Sequence, residues 1–537
     1  MGDTSRLVSA HQAYERGDLS LAAELYRTVL DEIPDMSHEA FHMLGVIAHR
    51  MGKVDLAVQL TEAAIGLSPN MSKALVNRAV FLRQLGRRDD ARAAAAIAVK
   101  QCPQAATAWH TASFLALEAG EHDNAYAWAC ESIRLDPEAP LALVNYANTM
   151  MIRGELAGAY AAAHKALLKA PKEALMHLSI GQILRAAGYP LRALEYFQEA
   201  CRLKPDYTDA KTAAATALTV VGDWKRGWAA WEERPYDYER FKSLPRWNGE
   251  SVKRLVLHAE QGMGDAFQFL RWVGELKGRA DKIILQVPKP LYRIISDSFP
   301  GYQIITPQDS LPEADAQCPL MSLPYLLHPE EANYSSPVEL HVDEYMRGKW
   351  REKLLPYPQP RVGLVWYGNP KHSNDHNRSI PKDLLAPLFR EFSGNIFSLQ
   401  DGVVARLDEK LENFIPIDKS GDMTDPVVSS AALMKELDLI ITVDTMPVHL
   451  AGSLGVPVWL LLPFDPDWRW FYEREDTPWY SSVRIFRQHK HKDWASVLDN
   501  VAGELRKFKA GDKSVLEPKK WDGEFLSQHP HAVPLAF

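Results

Sequence analysis

Cysteine is scarce in this 537-residue sequence, and it lacks long hydrophobic runs. The cysteines lie far apart, so their spacing predicts neither a zinc site nor a disulfide framework. No apolar run approaches the roughly 20 residues that cross a membrane, and the N-terminus lacks the basic-then-apolar pattern of a secretory signal. We therefore expect a cytoplasmic protein with no membrane span and no metal site. The four cysteines are Cys102, Cys130, Cys201 and Cys318.

An excess of positive charge is also missing. Lysine and arginine together number 61, against 69 aspartates and glutamates, which gives a formal net charge of −8. Nucleic-acid-binding domains usually carry a basic patch, so this composition argues against nucleic acid as a partner. The length predicts roughly three or four domain-sized units.

The first two-fifths of the sequence contains a ladder of proline, glycine and small residues. The ladder has a period of 34 residues, apart from a first step of 35. The prolines are Pro34, Pro69, Pro103, Pro137, Pro171 and Pro205. The glycines are Gly17, Gly52, Gly86, Gly120, Gly154, Gly188 and Gly222. Five residues after each glycine stand Ala22, Ala57, Ala91, Ala125, Ala159, Ala193 and the variant Gly227.

This period is typical of tetratricopeptide repeats, which contain two helices each. The glycine predicts a left-handed cap at the end of the first helix. The alanine lets two helices approach closely, and the proline ends the second helix. Arrays of such repeats usually bind polypeptide, so we predict a protein partner for this part of the chain.

Eight residues after each proline, the inner helix of the repeat carries a mostly short polar side chain. An inward-facing row of this kind could hold the backbone of an extended peptide, although ordinary polarity of a helix surface explains it equally well. The row consists of His42, Asn77, Thr111, Asn145 and Ser179. We take the last four as the candidate acceptor-binding residues.

After the ladder, buried strands alternate with helices. Runs at 254–258, 282–287 and 302–306 form one set, and runs at 361–366, 395–399, 438–443 and 456–462 form a second. Such alternation indicates parallel sheets with crossover helices. We predict a multidomain chain: an all-α repeat array (1–226), a packed connector (227–252), an acceptor-side Rossmann-like domain (253–350), a donor-binding Rossmann-like domain (360–509) and an irregular tail (510–537).

The first candidate ligand loop is LVLHAEQGMGDAFQFLRW, from Leu255 to Trp272. It follows a predicted strand, at the edge of a parallel sheet where doubly wound folds bind ligands. Gly262 and Gly264 permit close approach of the backbone. Asp265 stands at the predicted helix start, where it either caps the helix or accepts a proton from an attacking hydroxyl.

The second candidate loop is ITVDTMPVHLAGSLGVPVWLLLP, from Ile441 to Pro463. Asp444, Thr445 and Met446 lie between a strand and a helix whose first turn accommodates Pro447. The amides of a helix start and the helix dipole bind phosphate, and His449 lies within reach of the same anion. The alternative is a well-capped crossover with a structural histidine.

The third candidate loop is VWYGNPKHSNDHNRSIP, from Val365 to Pro381. Its polar residues after a strand suggest ligand contact, and Arg378 could neutralise a phosphate, whereas a solvated surface loop is the alternative. Trp468 belongs to an aromatic and charged cluster that either walls a nucleotide pocket or only packs. The candidate donor-binding residues are Gly262, Gly264, Asn369, Arg378, Ser379, Asp444, Thr445, Met446, His449 and Trp468.

Together these loops and the DWRWF segment resemble GT-B glycosyltransferases related to ADP-heptose lipopolysaccharide heptosyltransferases. The chain as a whole resembles bacterial tetratricopeptide-repeat proteins with such a domain, among them flagellin glycosyltransferases that transfer nonulosonic acids. The resemblance implies two Rossmann-like domains, inverting transfer without metal, and Asp265 as the catalytic carboxylate. It also implies that Thr445 and His449 hold the donor phosphate.

The sequence therefore predicts a protein O-glycosyltransferase that needs no cofactor and uses a nucleotide sugar as co-substrate. The acceptor is a protein on the repeats, with flagellin as the example that the resemblance offers. Two alternatives stay open: a transferase for lipopolysaccharide or another glycan, and a repeat scaffold without catalysis.

Overall fold

The computed structural model describes residues 5–235, 239–328, 338–372, 374–392, 395–400, 414–416, 425–521, 523, 526 and 528–535. The chain divides into two compact units, Met1–Ile183 with Pro534–Phe537, and Leu184–Val533. The first unit is helical. The second begins with helices and continues with two parallel sheets.

Fourteen helices precede the first strand within the described residues. They are α1 (Ser5–Glu15), α2 (Leu19–Glu32), α3 (Ser37–Arg50), α4 (Val54–Leu67), α5 (Ser72–Gln84), α6 (Arg88–Gln101), α7 (Ala106–Glu118), α8 (His122–Leu135), α9 (Pro140–Arg153), α10 (Leu156–Lys169), α11 (Ala174–Ala186), α12 (Pro190–Leu203), α13 (Thr208–Val220) and α14 (Trp224–Trp231). The boundary between the two units falls within α11.

The ladder has the structural role that its sequence predicts. All seven ladder glycines have positive φ, between 75° and 93°, and each follows the first helix of a pair. The six ladder alanines are fully buried between helices. The seventh position needs a still smaller residue, because a Cβ on Gly227 would lie 2.6 Å from Thr219 Cγ2.

Strands and helices alternate after α14. The strands are β1 (Val252–His258), β2 (Ala280–Gln286), β3 (Gln303–Ile305), β4 (Ala316–Pro319), β5 (Arg361–Val365), β6 (Asn395–Ser398), β7 (Phe414–Pro416), β8 (Leu439–Val443), β9 (Val458–Leu462) and β10 (Val483–Arg487). The helices are α15 (Met263–Phe269), α16 (Tyr292–Ser298), α17 (Leu323–Leu327), α18 (Glu344–Leu354), α19 (Asp375–Arg378), α20 (Ala386–Glu391), α21 (Pro426–Lys435), α22 (Met446–Ser453) and α23 (Trp494–Lys509).

Both sheets are parallel throughout, as the buried runs predict. The first has the order β3-β2-β1-β4, and the second has the order β10-β9-β8-β5-β6-β7. In each sheet, successive strands are added first on one side of a starting strand and then on its other side. This reversal of strand order lies beside β1 in the first sheet and beside β5 in the second. In doubly wound folds, ligands bind at such reversals, beyond the carboxyl ends of the strands. Strands β4, β7 and β10 are additional to the predicted runs.

Two apolar clusters bury the faces of the second sheet. Leu460 and Leu462 face one cluster, together with side chains of α21 and α22, whereas Trp459 and Leu461 face the other, with α20 and α23. Helices therefore cover both faces, which is the doubly wound arrangement. The first of these clusters also contains one face of the first sheet, so a continuous core joins the two sheets.

The connector is packed against this core. Trp228 and Trp231 of α14 belong to the shared cluster, together with Trp224, which lies just before the connector. Phe241 covers the opposite face of the first sheet beside Val256. Aromatic side chains therefore fix this segment to the sheet by burial of apolar surface.

Candidate functional site

Asp265 lies at the third position of α15, which begins five residues after β1. The Gly262 backbone N–H donates to Asp265 Oδ2 over 2.9 Å. The Arg469 guanidinium donates to Oδ1 in an ion pair. Gly262, and not Asp265, is therefore the N-cap residue of α15; Asp265 stabilises the helix start from the third position, and both of its oxygens are engaged.

Arg469 is the centre of a buried polar cluster. Its Nε donates to Gln268 Oε1 over 2.6 Å, and its Nη1 donates to Asp467 Oδ1 over 2.7 Å. Burial opposes the charge, but the carboxylates of Asp467 and Asp265 outweigh it and raise the arginine pKa. The side chain is therefore permanently charged. Its hydrogen bonds connect the segment that follows β1 with the segment that follows β9.

Thr445 precedes α22 in extended backbone geometry, and α22 begins at Met446 with Pro447 at its second position, as predicted. The Thr445 hydroxyl donates to the Val443 carbonyl over 3.2 Å, so it turns back toward β8. The Met446 side chain is half-buried against the shared core. Pro447 has no N–H and the Val448 N–H donates to the Thr445 carbonyl over 3.1 Å, so a phosphate at this helix start could meet only the remaining backbone amides rather than these two side chains.

His449 brings the first two loops together. Its Nδ1 is hydrogen-bonded to the Tyr480 hydroxyl over 3.0 Å. The other side of its ring faces Gly264, where a Cβ would lie 2.7 Å from Cδ2 and 3.3 Å from Nε2. Burial and the nearby Arg469 and Arg271 lower the His449 pKa well below its usual value. The imidazole is therefore neutral at physiological pH, and it could meet an anion only as a neutral donor.

The third loop carries Arg378 toward the second loop. Its Nη1 donates to the Asp444 carbonyl over 3.0 Å, and its Nε donates to Asp375 Oδ1 over 3.2 Å. Ser379 lies inside the loop, where its hydroxyl accepts from a backbone N–H over 2.9 Å. Asn369 lies on an exposed turn, so the structure brings Arg378, but not Asn369, to the polar cluster.

The carboxyl group of Asp444 is close to neutral. Burial and the Asp467 carboxylate raise its pKa to about 7, against the opposing effects of Arg469 and Arg378. Partial protonation of Asp444 near pH 7 reduces the negative charge that a phosphate would otherwise meet at the start of α22. The electrostatics of the site therefore depend on pH near neutrality.

Trp468 has a packing role. Its ring is 3% exposed and makes edge contacts with Trp228 and Trp479, at centroid distances of 5.5 and 6.0 Å. The Arg469 guanidinium carbon lies 4.5 Å from the centre of the same ring. Trp468 thus supports Arg469, and contact between this ring and a nucleotide stays a prediction.

The candidate acceptor residues contribute to packing between repeats. Thr111, Asn145 and Ser179 are buried, contrary to the expectation of an open polar row. Asn145 Nδ2 donates to the His110 carbonyl over 3.3 Å, and Asn77 Nδ2 is paired with a histidine nitrogen of the preceding repeat at 2.9 Å. Contact between these side chains and a peptide stays a prediction.

The sequence patterns did not identify three further residues of the cluster. Gln268 lies one helical turn after Asp265, a spacing that places both on one helix face. Arg271 stacks over the Tyr480 ring, with its guanidinium carbon 5.0 Å from the ring centre. Arg271 and Tyr480 carry no local pattern that marks them, because only the fold brings them to His449.

Comparison with known proteins identifies the repeats. The tetratricopeptide repeat family model matches residues 7–72 and 151–208. The chain contains tetratricopeptide repeats. It is also 26% identical over 423 residues to Protein FlbA of Caulobacter vibrioides, a match that spans 64% of this chain and 69% of that protein.

Solved structures of tetratricopeptide-repeat proteins also match. One from Parabacteroides merdae is 16% identical with a TM-score of 0.36, over 44% of this chain and 95% of that one. TTC0263 of Thermus thermophilus is 21% identical with a TM-score of 0.30, over 34% of this chain and 98% of that one.

The described residues contain no group of three or more histidine, cysteine, aspartate or glutamate side chains that could hold a metal. Asp465 and Asp467, which spell a DxD pattern, each pair with a different arginine: Arg185 at 2.7 Å and Arg469 at 2.7 Å. Within the same residues, no helix has the length and apolar character needed to cross a membrane.

Proposed function

We propose that the protein is an O-glycosyltransferase that moves a sugar from a nucleotide donor to serine or threonine of a protein held by the repeats. The observation that carries this proposal is the meeting of Asp265, His449 and Arg469 beyond the carboxyl ends of parallel strands. Ligands of doubly wound folds bind at this place. The resemblance to GT-B enzymes adds an inverting mechanism, and flagellin with a nonulosonic acid is its example of acceptor and sugar.

The chemistry assigns one role to each charged group. Asp265 accepts the proton of the acceptor hydroxyl, whose oxygen attacks the anomeric carbon of the sugar. The backbone amides at the start of α22 and the Arg378 guanidinium stabilise the negative charge on the departing phosphate. A single displacement of this kind inverts the anomeric configuration.

The alternative of a scaffold without catalysis has one observation in its favour. Both oxygens of Asp265 are already engaged, by the Gly262 N–H and by Arg469, and a purely structural aspartate would show the same contacts. Activity of an Asp265 variant therefore has to separate the two functions.

Transfer measured by intact-protein mass spectrometry tests the proposal. Asp265→Asn keeps the size of the side chain but removes the base, and loss of a general base costs about 10²–10⁴-fold in rate. The matched control is Asp315→Asn, since Asp315 pairs with Arg254 near the opposite end of β1. We expect transfer by the control and almost none by Asp265→Asn. Equal rates in both variants would leave Asp265 as a helix cap.

A further inference from the structure

Both oxygens of Asp265 already accept a hydrogen bond in the arrangement that the structure shows. Its Oδ2 accepts from the Gly262 N–H, and its Oδ1 accepts from Arg469. A general base must lie within hydrogen-bond reach of the proton that it takes. Each oxygen keeps a second lone pair, but the acceptor hydroxyl would have to share an oxygen with one of these two donors, and release of one contact would leave a whole oxygen for it.

The contact with Arg469 is the one that can change while the rest of the cluster stays in place. The Gly262 contact belongs to the start of α15, so its loss would disturb the helix. Arg469 keeps two further partners, Gln268 and Asp467, which would hold the guanidinium in place after Nη2 leaves Asp265.

Arg469 also lies beside the predicted phosphate site. The ring of the neighbouring Trp470 lies 5.6 Å from the ring of His449 in the first turn of α22, and the Arg469 charge contributes to the lowered pKa of that histidine. Arginine binds phosphate through paired N–H groups, and charge-assisted contacts of this kind are the strong ones. A phosphate at the α22 amides would therefore compete with Asp265 for the same guanidinium.

We propose that Arg469 binds the phosphate of the nucleotide donor and gives up its ion pair with Asp265 to do so, which leaves Oδ1 of Asp265 free for the acceptor hydroxyl when the donor is bound. This inference rests on the proposed function. In the transfer step, the acceptor O–H proton passes to Asp265, and the acceptor oxygen forms a bond to the anomeric carbon. The bond from that carbon to the phosphate oxygen breaks, and its electron pair stays on the phosphate, beside Arg469.

The exchange has a signature that a simple catalytic base lacks. If Asp265 competes with phosphate for Arg469, removal of its charge should tighten nucleotide binding even though transfer is lost. We expect Asp265→Asn to bind nucleotide about tenfold more tightly, which corresponds to about 1.4 kcal/mol. Arg469→Lys, which keeps the charge but loses the paired donors, should bind about tenfold more weakly.

The measurement is isothermal titration calorimetry with UDP, GDP, ADP, CDP and CMP on the full chain. Asp315→Asn is the control that should match the wild type. If Asp265→Asn does not fold, Asp265→Ser removes the same charge. If the wild type binds none of these nucleotides, the proposed function itself is contradicted. If it binds one, but the Asp265 variant binds with equal or lower affinity, or Arg469→Lys binds as the wild type does, only the exchange is overturned.

Discussion

Replacement of Gly264 by alanine tests the contact that joins the two ligand loops. The added Cβ would lie 2.7 Å from His449 Cδ2, whereas carbon atoms pack best at about 3.5–4.0 Å. The ring cannot move away freely, because it is buried and its Nδ1 is bonded to Tyr480 over 3.0 Å. Overpacking of this kind costs about 1–3 kcal/mol, and we expect Gly264→Ala to lower the free energy of unfolding by that amount.

Urea denaturation measures this loss, and Gly274→Ala is its matched control. A Cβ on Gly274 would meet nothing within 4 Å, so this variant should stay within about 0.5 kcal/mol of the wild type. Equal stability of the two alanine variants would refute the predicted clash.

A double-mutant cycle with His449→Ala locates the clash. If the imidazole is the obstacle, its removal leaves room for the Cβ, and Gly264→Ala should then cost little. Directly contacting residues show coupling energies of about 0.5–3 kcal/mol. Additive losses in the double variant would mean that Gly264 matters for another reason, such as the path of its own backbone.

Four further variants test the electrostatics and the packing of repeats. The raised pKa of Asp444, about 7 in the folded chain against an ordinary 3.8, means that folding takes up a proton. This group therefore lowers stability as pH rises from about 4 to 7, and Asp444→Asn should flatten that fall in thermal melts. Arg185→Met leaves the Asp465 carboxylate buried without its partner and should lower the free energy of unfolding by about 3–5 kcal/mol. Asp465→Asn should lower it less, and urea denaturation of both variants measures the difference. Asn145→Ala removes a buried hydrogen bond to the His110 carbonyl and should cost about 1 kcal/mol by the same method, and an unchanged midpoint would show that the bond contributes nothing.

Local patterns were enough to predict the repeat helices and seven of the ten strands of the described residues. Gly17 and the other ladder glycines have positive φ. Glycine adopts this conformation most readily, so its regular placement in the sequence already predicts these turns. The buried runs predicted seven strands because parallel strands covered on both faces are continuously apolar. Strand β4 (Ala316–Pro319) was not predicted, since AQCP is short and contains polar residues.

Long-range pairing decided the candidate site. The sequence placed Asp265 and His449 at helix starts after strands, and the structure shows both there. It gave no sign that Arg469 would pair with Asp265, or that Tyr480 would bond to His449. Such partners are separated by many residues and meet only because two sheets share one core.

The sequence by itself thus determined the repeats, the parallel strands and the glycine turns, because each depends on backbone conformation or on periodic burial within a short segment. The tertiary structure alone decided which charges neighbour each other and which polar groups are buried. Asn145 shows the difference: its spacing marks a polar row, but its exposure depends on the neighbouring repeat that covers it. The engaged state of Asp265 is likewise a property of the packed protein, since the pairing of a carboxylate depends on every group that the fold brings within reach.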